Sequence, residues 1–273
     1  MKQILSSQLF LGQRLSTRAL DLAARSGVEG VEIVAARHHF DYTHTEQIRE
    51  IAKWFQANAC TPWGLHAPWQ MEQATEYSGG IAVSLLNPDK SRRIASMDEV
   101  KRALEAADYI PFKYLILQIG NREDSWSTRT LEHAISALEH LGAFAAPLGI
   151  KLLVKNGASE AAEPEKLIEI LTTGHLRNIG LAIDTGEANA SVGCKQCFDL
   201  MAARTVAVYL RDNKGNREEQ LWPGEGSVDW AQVALAIGKL PAEAAVVLSV
   251  FKQEQLQDDD LISRIKLSFN KIT

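Results

Sequence analysis

An eight-stranded α/β barrel is the fold this sequence predicts, and three observations predict it. Short β-branched or apolar runs alternate with longer amphipathic stretches from end to end, the pattern of a parallel sheet covered by helices. The chain of 273 residues has the length of one closed barrel. No internal repeat or low-complexity linker divides it, so one (βα)8 barrel over residues 1–273 is expected, with no second domain.

The elements follow in order. Ile4–Leu11 reads as the first strand; its apolar stretch of about five residues is too short for the h-region of a signal peptide, roughly 7–15 residues. Further strands are expected at Val31–Val34, Pro62–His66, Tyr114–Gln118, Lys151–Lys155, Ile179–Asp184, Thr205–Arg211 and Ala245–Val250. Met97–Tyr109 places Val100, Leu104 and Ala107 on one face with charges opposite. Ser127–Leu148 carries an apolar stripe of Leu131, Ile135, Leu138 and Leu141, and a last helix is expected near Leu261–Ile272. The irregular stretch is Gln70–Ser96, containing YSGG and LNPDKSRR. It follows the third strand, on the face where barrel loops build active sites, and its length suits a segment that covers a ligand.

Hydrophobic residues at 46% and charged residues at 23% describe a globular protein with a sizeable core. A net charge of −5 argues against a broad phosphate-binding surface, so nucleic acid is not an expected partner. No apolar run approaches the roughly 20 residues that span a bilayer, so no membrane is expected either. Three cysteines (Cys60, Cys194 and Cys197) form no disulfide framework, and the expected location is cytoplasmic. The single CxxC, Cys194 to Cys197, lacks the second pair or the histidines of a zinc site and reads as two helix-start cysteines without redox work. A homo-oligomer is compatible with the sequence, which does not set the number of subunits.

Several segments carry a resemblance. GVEGVEI (Gly27–Ile33), LHAPW (Leu65–Trp69), NIGLAIDTGEANA from Asn178, VAVYLRDNKGN, and WPGEG with the following Val-Asp-Trp (Trp222–Trp230) occur in an order and spacing that covers nearly the whole chain. Together they resemble the xylose-isomerase-like TIM-barrel superfamily, which includes sugar phosphate isomerases and epimerases and an endonuclease branch. The resemblance implies a divalent metal held by a Glu after the fifth strand, an Asp after the sixth, a His on the seventh and a Glu on the eighth. The matching positions here are Lys155, Asp184, Tyr209 and Ser249. His66 matches one outlying histidine of the endonuclease branch, while Gln118, Glu187 and Gln220 stand where others would be. Only Asp184 of the central four is a good ligand for a hard ion.

A divergent member with no metal and no other cofactor is therefore expected. A dication about 4 Å from the Lys155 ammonium would be repelled by roughly 8 kcal/mol at an effective dielectric of 20. Strands lie about 4.8 Å apart, so the ammonium can instead pair with Asp184, taking over the electrostatic part of the metal. Period-two alternation turns Leu153 and Lys155, Ala182 and Asp184, and Ala207, Tyr209 and Arg211 toward the barrel interior. The expected pocket comprises His66, Gln118, Lys155, Asp184, Tyr209, Arg211 and Ser249, a polar set suited to a sugar or sugar-like small molecule.

Lys155, Asp184 and His66 within it, with Glu187 near the mouth three residues after Asp184, are the catalytic candidates, with proton transfer assigned to Glu187 or His66. Gln118, Tyr209, Arg211 and Ser249 are the binding candidates, joined by Trp69 and Trp222, whose rings could stack on a sugar or merely pack the loops. His38 and His39 could line the mouth. The function implied is that of a sugar or sugar-phosphate isomerase or epimerase working without metal. The competing reading is a non-catalytic carbohydrate-binding or sensor protein on the same fold. An endonuclease-like role conflicts with the acidic charge and the missing ligands.

Overall fold

A computed structural model describes residues 1–71, 81–216, 219–251 and 256–272. Eight parallel strands close into a barrel: β1 (Lys2–Ser6), β2 (Gly30–Val34), β3 (Thr61–His66), β4 (Tyr114–Leu117), β5 (Lys151–Lys155), β6 (Gly180–Asp184), β7 (Thr205–Leu210) and β8 (Ala245–Leu248). Each strand pairs with its neighbours in sequence, and β1 closes on β8 from Lys2 opposite Ala245 to Leu5 opposite Leu248. The helices that return the chain are α1 (Thr17–Arg25), α2 (Thr45–Ala57), α3 (Lys90–Leu104), α4 (Thr128–Ala145), α5 (Pro164–Thr173), α6 (Cys194–Met201), α7 (Trp230–Ile237) and α8 (Asp258–Phe269). A further short helix, Thr185–Asn189, lies between β6 and α6. The expected fold is therefore the observed one, and all eight expected strands are present.

Two apolar layers hold the barrel. The larger lies between strands and helices, where Leu20, Ile51, Leu104, Leu138, Leu171 and Ile265 are fully or almost fully buried against the sheet. The smaller fills the inside: Ile4, Trp63, Ile116, Leu153, Ala182, Ala207 and Val247 pack together. Alternation then turns the residue two places further along each strand to the same interior, toward the C-terminal mouth. Those residues are Ser6 after Ile4, Lys155 after Leu153, Asp184 after Ala182 and Tyr209 after Ala207. The barrel thus has an apolar plug with a polar layer stacked on it.

Several boundaries differ from the sequence expectation. The first strand stops at Ser6, not Leu11, and Ser7–Phe10 forms a 3-10 turn. Ser6 causes the break, because its hydroxyl accepts from the Gln8 amide at 3.3 Å and turns the chain. The last strand ends at Leu248, and β4 and β7 each end one residue before the expected Gln118 and Arg211, so the polar residues sit just past the strand ends. The third helix starts at Lys90, seven residues ahead of Met97, because Asp89 caps it by accepting from Ser91 N at 2.7 Å. Its last expected turn is a separate 3-10 segment, Glu105–Asp108. Much of the stretch expected as one irregular loop is therefore ordered, and Gln70–Met71 pairs with Ile81–Ala82 as a small antiparallel ribbon. The YSGG portion lies outside the described residues.

Candidate functional site

Three side chains from neighbouring strand ends form the centre of the site. Lys155 closes β5, Asp184 closes β6 and Arg211 follows β7. Lys155 Nζ lies 3.1 Å from Asp184 Oδ2, and Arg211 Nε lies 2.7 Å from Asp184 Oδ1. One carboxylate is therefore shared by two cations, each on its own oxygen. The second arm of the guanidinium, Nη2, reaches Glu187 Oε1 at 2.5 Å. All four side chains are buried, with Asp184 at 0% and Glu187, the most exposed, at 7%.

Charges this deep are tolerated only when paired and hydrogen-bonded, and the backbone completes the pairing. The Glu187 amide donates to Asp184 Oδ1 at 3.1 Å, because Asp184 is the N-cap of the Thr185–Asn189 helix. Asn156, the residue after Lys155, clamps the Asp184 backbone: its Oδ1 accepts the Asp184 amide at 2.6 Å and its Nδ2 donates to the Asp184 carbonyl at 3.1 Å. Burial alone would raise the Asp184 carboxyl, but Arg211 and Lys155 outweigh it and hold the group down at about 2. The Asp184 carboxylate is ionised across the whole physiological range.

A second acid completes the layer. Glu32 on β2 is fully buried and accepts from Ser6 Oγ at 2.7 Å and from the Tyr209 hydroxyl. Burial pushes the Glu32 carboxyl above its ordinary value and the Tyr209 phenol well above its own. Lys155 Nζ sits 4.8 Å from the centre of the Tyr209 ring, linking this pair to the Asp184 cluster. Tyr209 is thus wholly enclosed, its hydroxyl given to Glu32; it supports Lys155 from below, where the sequence had suggested a ligand contact.

A cavity of 270 Å³ opens beside this network, lined by His66, Trp69, Gln118, Asn121 and Glu187 among others. Its size sits near the lower end of small-molecule sites. His66 Nδ1 donates to the Ala67 carbonyl at 3.0 Å, which leaves Nε2 as the acceptor. Burial and then the Lys155 charge lower the imidazole to about 3, so it is neutral at neutral pH. The Trp69 ring stands edge-on to His66 at 5.8 Å.

The expected residues therefore separate into groups. His66, Trp69, Gln118 and Glu187 line the cavity; Lys155, Asp184 and Arg211 form the charged floor beside it. Ser249 is buried apart from them and donates to Gln8 Oε1 at 2.9 Å, while Gln8 Nε2 donates to Gln220. Trp222 is a correction. It packs into the core between barrel and helices under the Arg264 guanidinium, 4.6 Å from its ring centre, and does not line the cavity. The cause is Asp212, a fully buried carboxylate that gathers the loop: it accepts from Val228 N at 3.0 Å, Gly224 N at 2.9 Å and Trp230 Nε1 at 2.8 Å.

His39 is a second correction. It is fully buried, with Nδ1 donating to the Gln13 carbonyl at 2.6 Å and Nε2 accepting from Ser7 Oγ at 3.0 Å, while His38 is exposed. Cys194 and Cys197 are buried at the start of α6, where burial pushes the Cys194 thiol up to about 12. Such thiols are poor nucleophiles.

Glu32, Asn156, Asp212 and Asn121 were not among the expected site residues. A signal existed for Glu32, an isolated acid inside the apolar run GVEIV. Asn156 and Asp212 each directly follow an expected site residue, but sequence does not show which loop residue a buried backbone will recruit.

The divalent ion implied by the resemblance does not fit these side chains. Two cations already occupy both oxygens of Asp184, Tyr209 gives its hydroxyl to Glu32, and Ser249 is bonded to Gln8. Among the described residues no three His, Cys, Asp or Glu side chains converge as a metal site. Among the described residues, too, no helix is long and apolar enough to cross a membrane.

A closed α/β barrel with a polar cavity at the C-terminal ends of its strands defines the class. The chain belongs to the family described as xylose isomerase-like TIM barrel, whose profile matches residues 20–266. It is 23% identical over 247 residues to MJ1311, an uncharacterized protein of Methanocaldococcus jannaschii, spanning 85% of this chain and 78% of that one. Solved structures with the same fold include a D-tagatose 3-epimerase-like protein, with TM-score 0.76, 19% identity and 100% of both chains covered. They also include the IolI protein with a bound zinc atom, with TM-score 0.79, 19% identity and 100% and 98% coverage. D-psicose 3-epimerase of Clostridium cellulolyticum H10 gives 0.77, 12%, and 100% and 98%.

Proposed function

We propose that this chain is a sugar isomerase or epimerase that moves a carbon-bound proton without a divalent metal. The observation that carries the reading is the sharing of Asp184 by Lys155 and Arg211, with Glu187 held by the same guanidinium on the wall of a monosaccharide-sized cavity. The D-tagatose 3-epimerase-like protein and D-psicose 3-epimerase are relatives in fold, and their names supply the substrate class for this proposal.

In this reading the Glu187 carboxylate takes the proton from the carbon beside the ligand's carbonyl. The electron pair moves onto the carbonyl oxygen, giving an enediolate, and the proton returns to carbon in the second half of the reaction. The charge arithmetic favours the intermediate. Lys155 and Arg211 balance Asp184 and Glu187 at rest, so protonating Glu187 leaves one unit of positive charge to face the enediolate. His66 Nε2, a fixed acceptor, takes a hydrogen bond from a ligand hydroxyl.

The test is wash-in of solvent deuterium into D-fructose, D-tagatose and D-psicose, followed by NMR on protein purified with and without chelator. Exchange that survives chelation and falls at least about 100-fold in Glu187→Gln is the expected result. Exchange that appears only on adding a divalent ion, or a stoichiometric ion in the purified protein, would overturn metal independence. Ligand-induced thermal stabilisation with no exchange would make the chain a carbohydrate-binding protein instead.

A further inference from the structure

Arg211 stands just past the point where the sheet holds the chain. The ladder between β6 and β7 runs as far as Asp184 opposite Tyr209, and β7 ends at Leu210. Side-chain hydrogen bonds take over from there, and they come from Thr185, the residue after Asp184. Thr185 Oγ1 accepts from the Arg211 amide at 3.1 Å, and its hydrogen lies between the carbonyl oxygens of Arg211 at 2.7 Å and Tyr209 at 3.0 Å. Thr185 is fully buried, so loss of its hydroxyl would strand backbone groups of Arg211 in a place closed to solvent. The next residue shapes the path of the arginine stem. A Cβ on Gly186 would come within 2.9 Å of both Cγ and Nε of Arg211, so the stem lies directly against the Gly186 backbone. Gly186 is itself held, its carbonyl accepting from Asn213 Nδ2 at 2.7 Å.

We infer that Thr185 is a positioning residue: its hydroxyl fixes the Arg211 backbone so that the guanidinium spans Asp184 and Glu187. The inference rests on the isomerase or epimerase reading above and deepens it. Nε lies 2.7 Å from Asp184 Oδ1 while Nη2 lies 2.5 Å from Glu187 Oε1, and a shift of the backbone that carries them disturbs both contacts. A charged group stabilises developing charge only while its position is held, and a displacement of about 1 Å can slow a reaction on the order of 100-fold. Thr185 acts through Arg211 and not on the ligand, so its loss should lower kcat and leave KM nearly unchanged.

Two readouts test this, one of them independent of any reaction. The Arg211 Nε–H, bonded to Asp184 inside the barrel mouth, should exchange slowly with solvent in heteronuclear NMR spectra, its signal assigned by its absence in Arg211→Lys. Thr185→Val keeps the shape of the side chain without the hydroxyl. In that variant the exchange should be at least about 10-fold faster, and kcat for deuterium wash-in to D-psicose about 10- to 100-fold lower. Thr185→Ser keeps the hydroxyl and should recover both. Gly186→Ala leaves the hydroxyl in place but crowds the arginine stem, and it should reproduce both losses, which guards against a folding defect peculiar to the valine variant. An Arg211 Nε–H as protected in Thr185→Val as in the wild type would overturn the inference. So would a serine variant as impaired as the valine one. A wild-type protein that washes no deuterium into any of the three ketoses would overturn the ketose reading alone, because exchange of the Nε–H still decides whether Thr185 holds Arg211.

Discussion

Lys155 Nζ lies 3.1 Å from Asp184 Oδ2, deep inside the barrel mouth. Arg211 approaches the other oxygen, so Asp184 is the common anion of two buried cations. Its importance to stability follows from what its loss would leave behind. Removing one partner of a buried ion pair strands a desolvated charge, whereas an exposed pair contributes little.

Asp184→Asn keeps the shape of the side chain and removes its charge. Lys155 would lose its paired anion and Arg211 would keep only Glu187, so a loss of about 3–5 kcal/mol is expected in urea denaturation. Lys155→Met should lose less than half as much, because Asp184 retains Arg211. A neutral or stabilising Asp184→Asn would show that the carboxylate does not hold the cluster together.

Acid sensitivity follows from His66. Its folded value of about 3 lies below the ordinary 6.5, so between those values the unfolded chain binds a proton that the folded chain refuses. Stability is full above pH 6.5 and falls as pH drops toward 3. His39, lowered to about 4 by burial, adds the same trend between 6.5 and 4, and Asp184 extends it from 3.8 down to about 2. Glu32, raised by burial, works in the opposite direction, favouring the folded state less as pH rises above 4.5. Each pH step through a shifted group is worth about 1.4 kcal/mol, so the histidines together account for several kcal/mol. Urea midpoints should fall between pH 6.5 and 4.5, and His66→Gln should reduce that fall. An unchanged slope in the variant would mean that the imidazole titrates normally.

The interior of the barrel was legible because a strand has a period of two. Leu153 with Lys155, Ala182 with Asp184 and Ala207 with Tyr209 follow from it directly, and the apolar member of each pair packs inside the barrel. The Lys155–Asp184 contact was legible from adjacent strand ends. What alternation cannot show is where a strand stops and what a loop does afterwards. Ser6 ends β1 early through a side chain that bonds its own backbone, and Asp212 draws the Trp222 loop into the core through buried amides. Glu32 escaped for another reason. Its partner Tyr209 is 177 residues away, a pairing that only closure of the barrel creates.

That pairing supports the last prediction. Tyr209 spans the barrel interior: its hydroxyl donates to Glu32 and its ring lies beneath the Lys155 ammonium. Tyr209→Phe keeps the ring and removes the donor, leaving Glu32 with Ser6 Oγ as a remaining hydrogen-bond donor. A buried acceptor deprived of one partner costs about 1–3 kcal/mol, so Tyr209→Phe should unfold at lower urea by that amount. Adding Glu32→Gln removes the buried acid itself, and the double variant should then lose less than the sum of the two single changes. The Lys155–Asp184 contact should survive in Tyr209→Phe, because the ring beneath the ammonium is unchanged. Additive losses across the four proteins would mean that Tyr209 and Glu32 act independently.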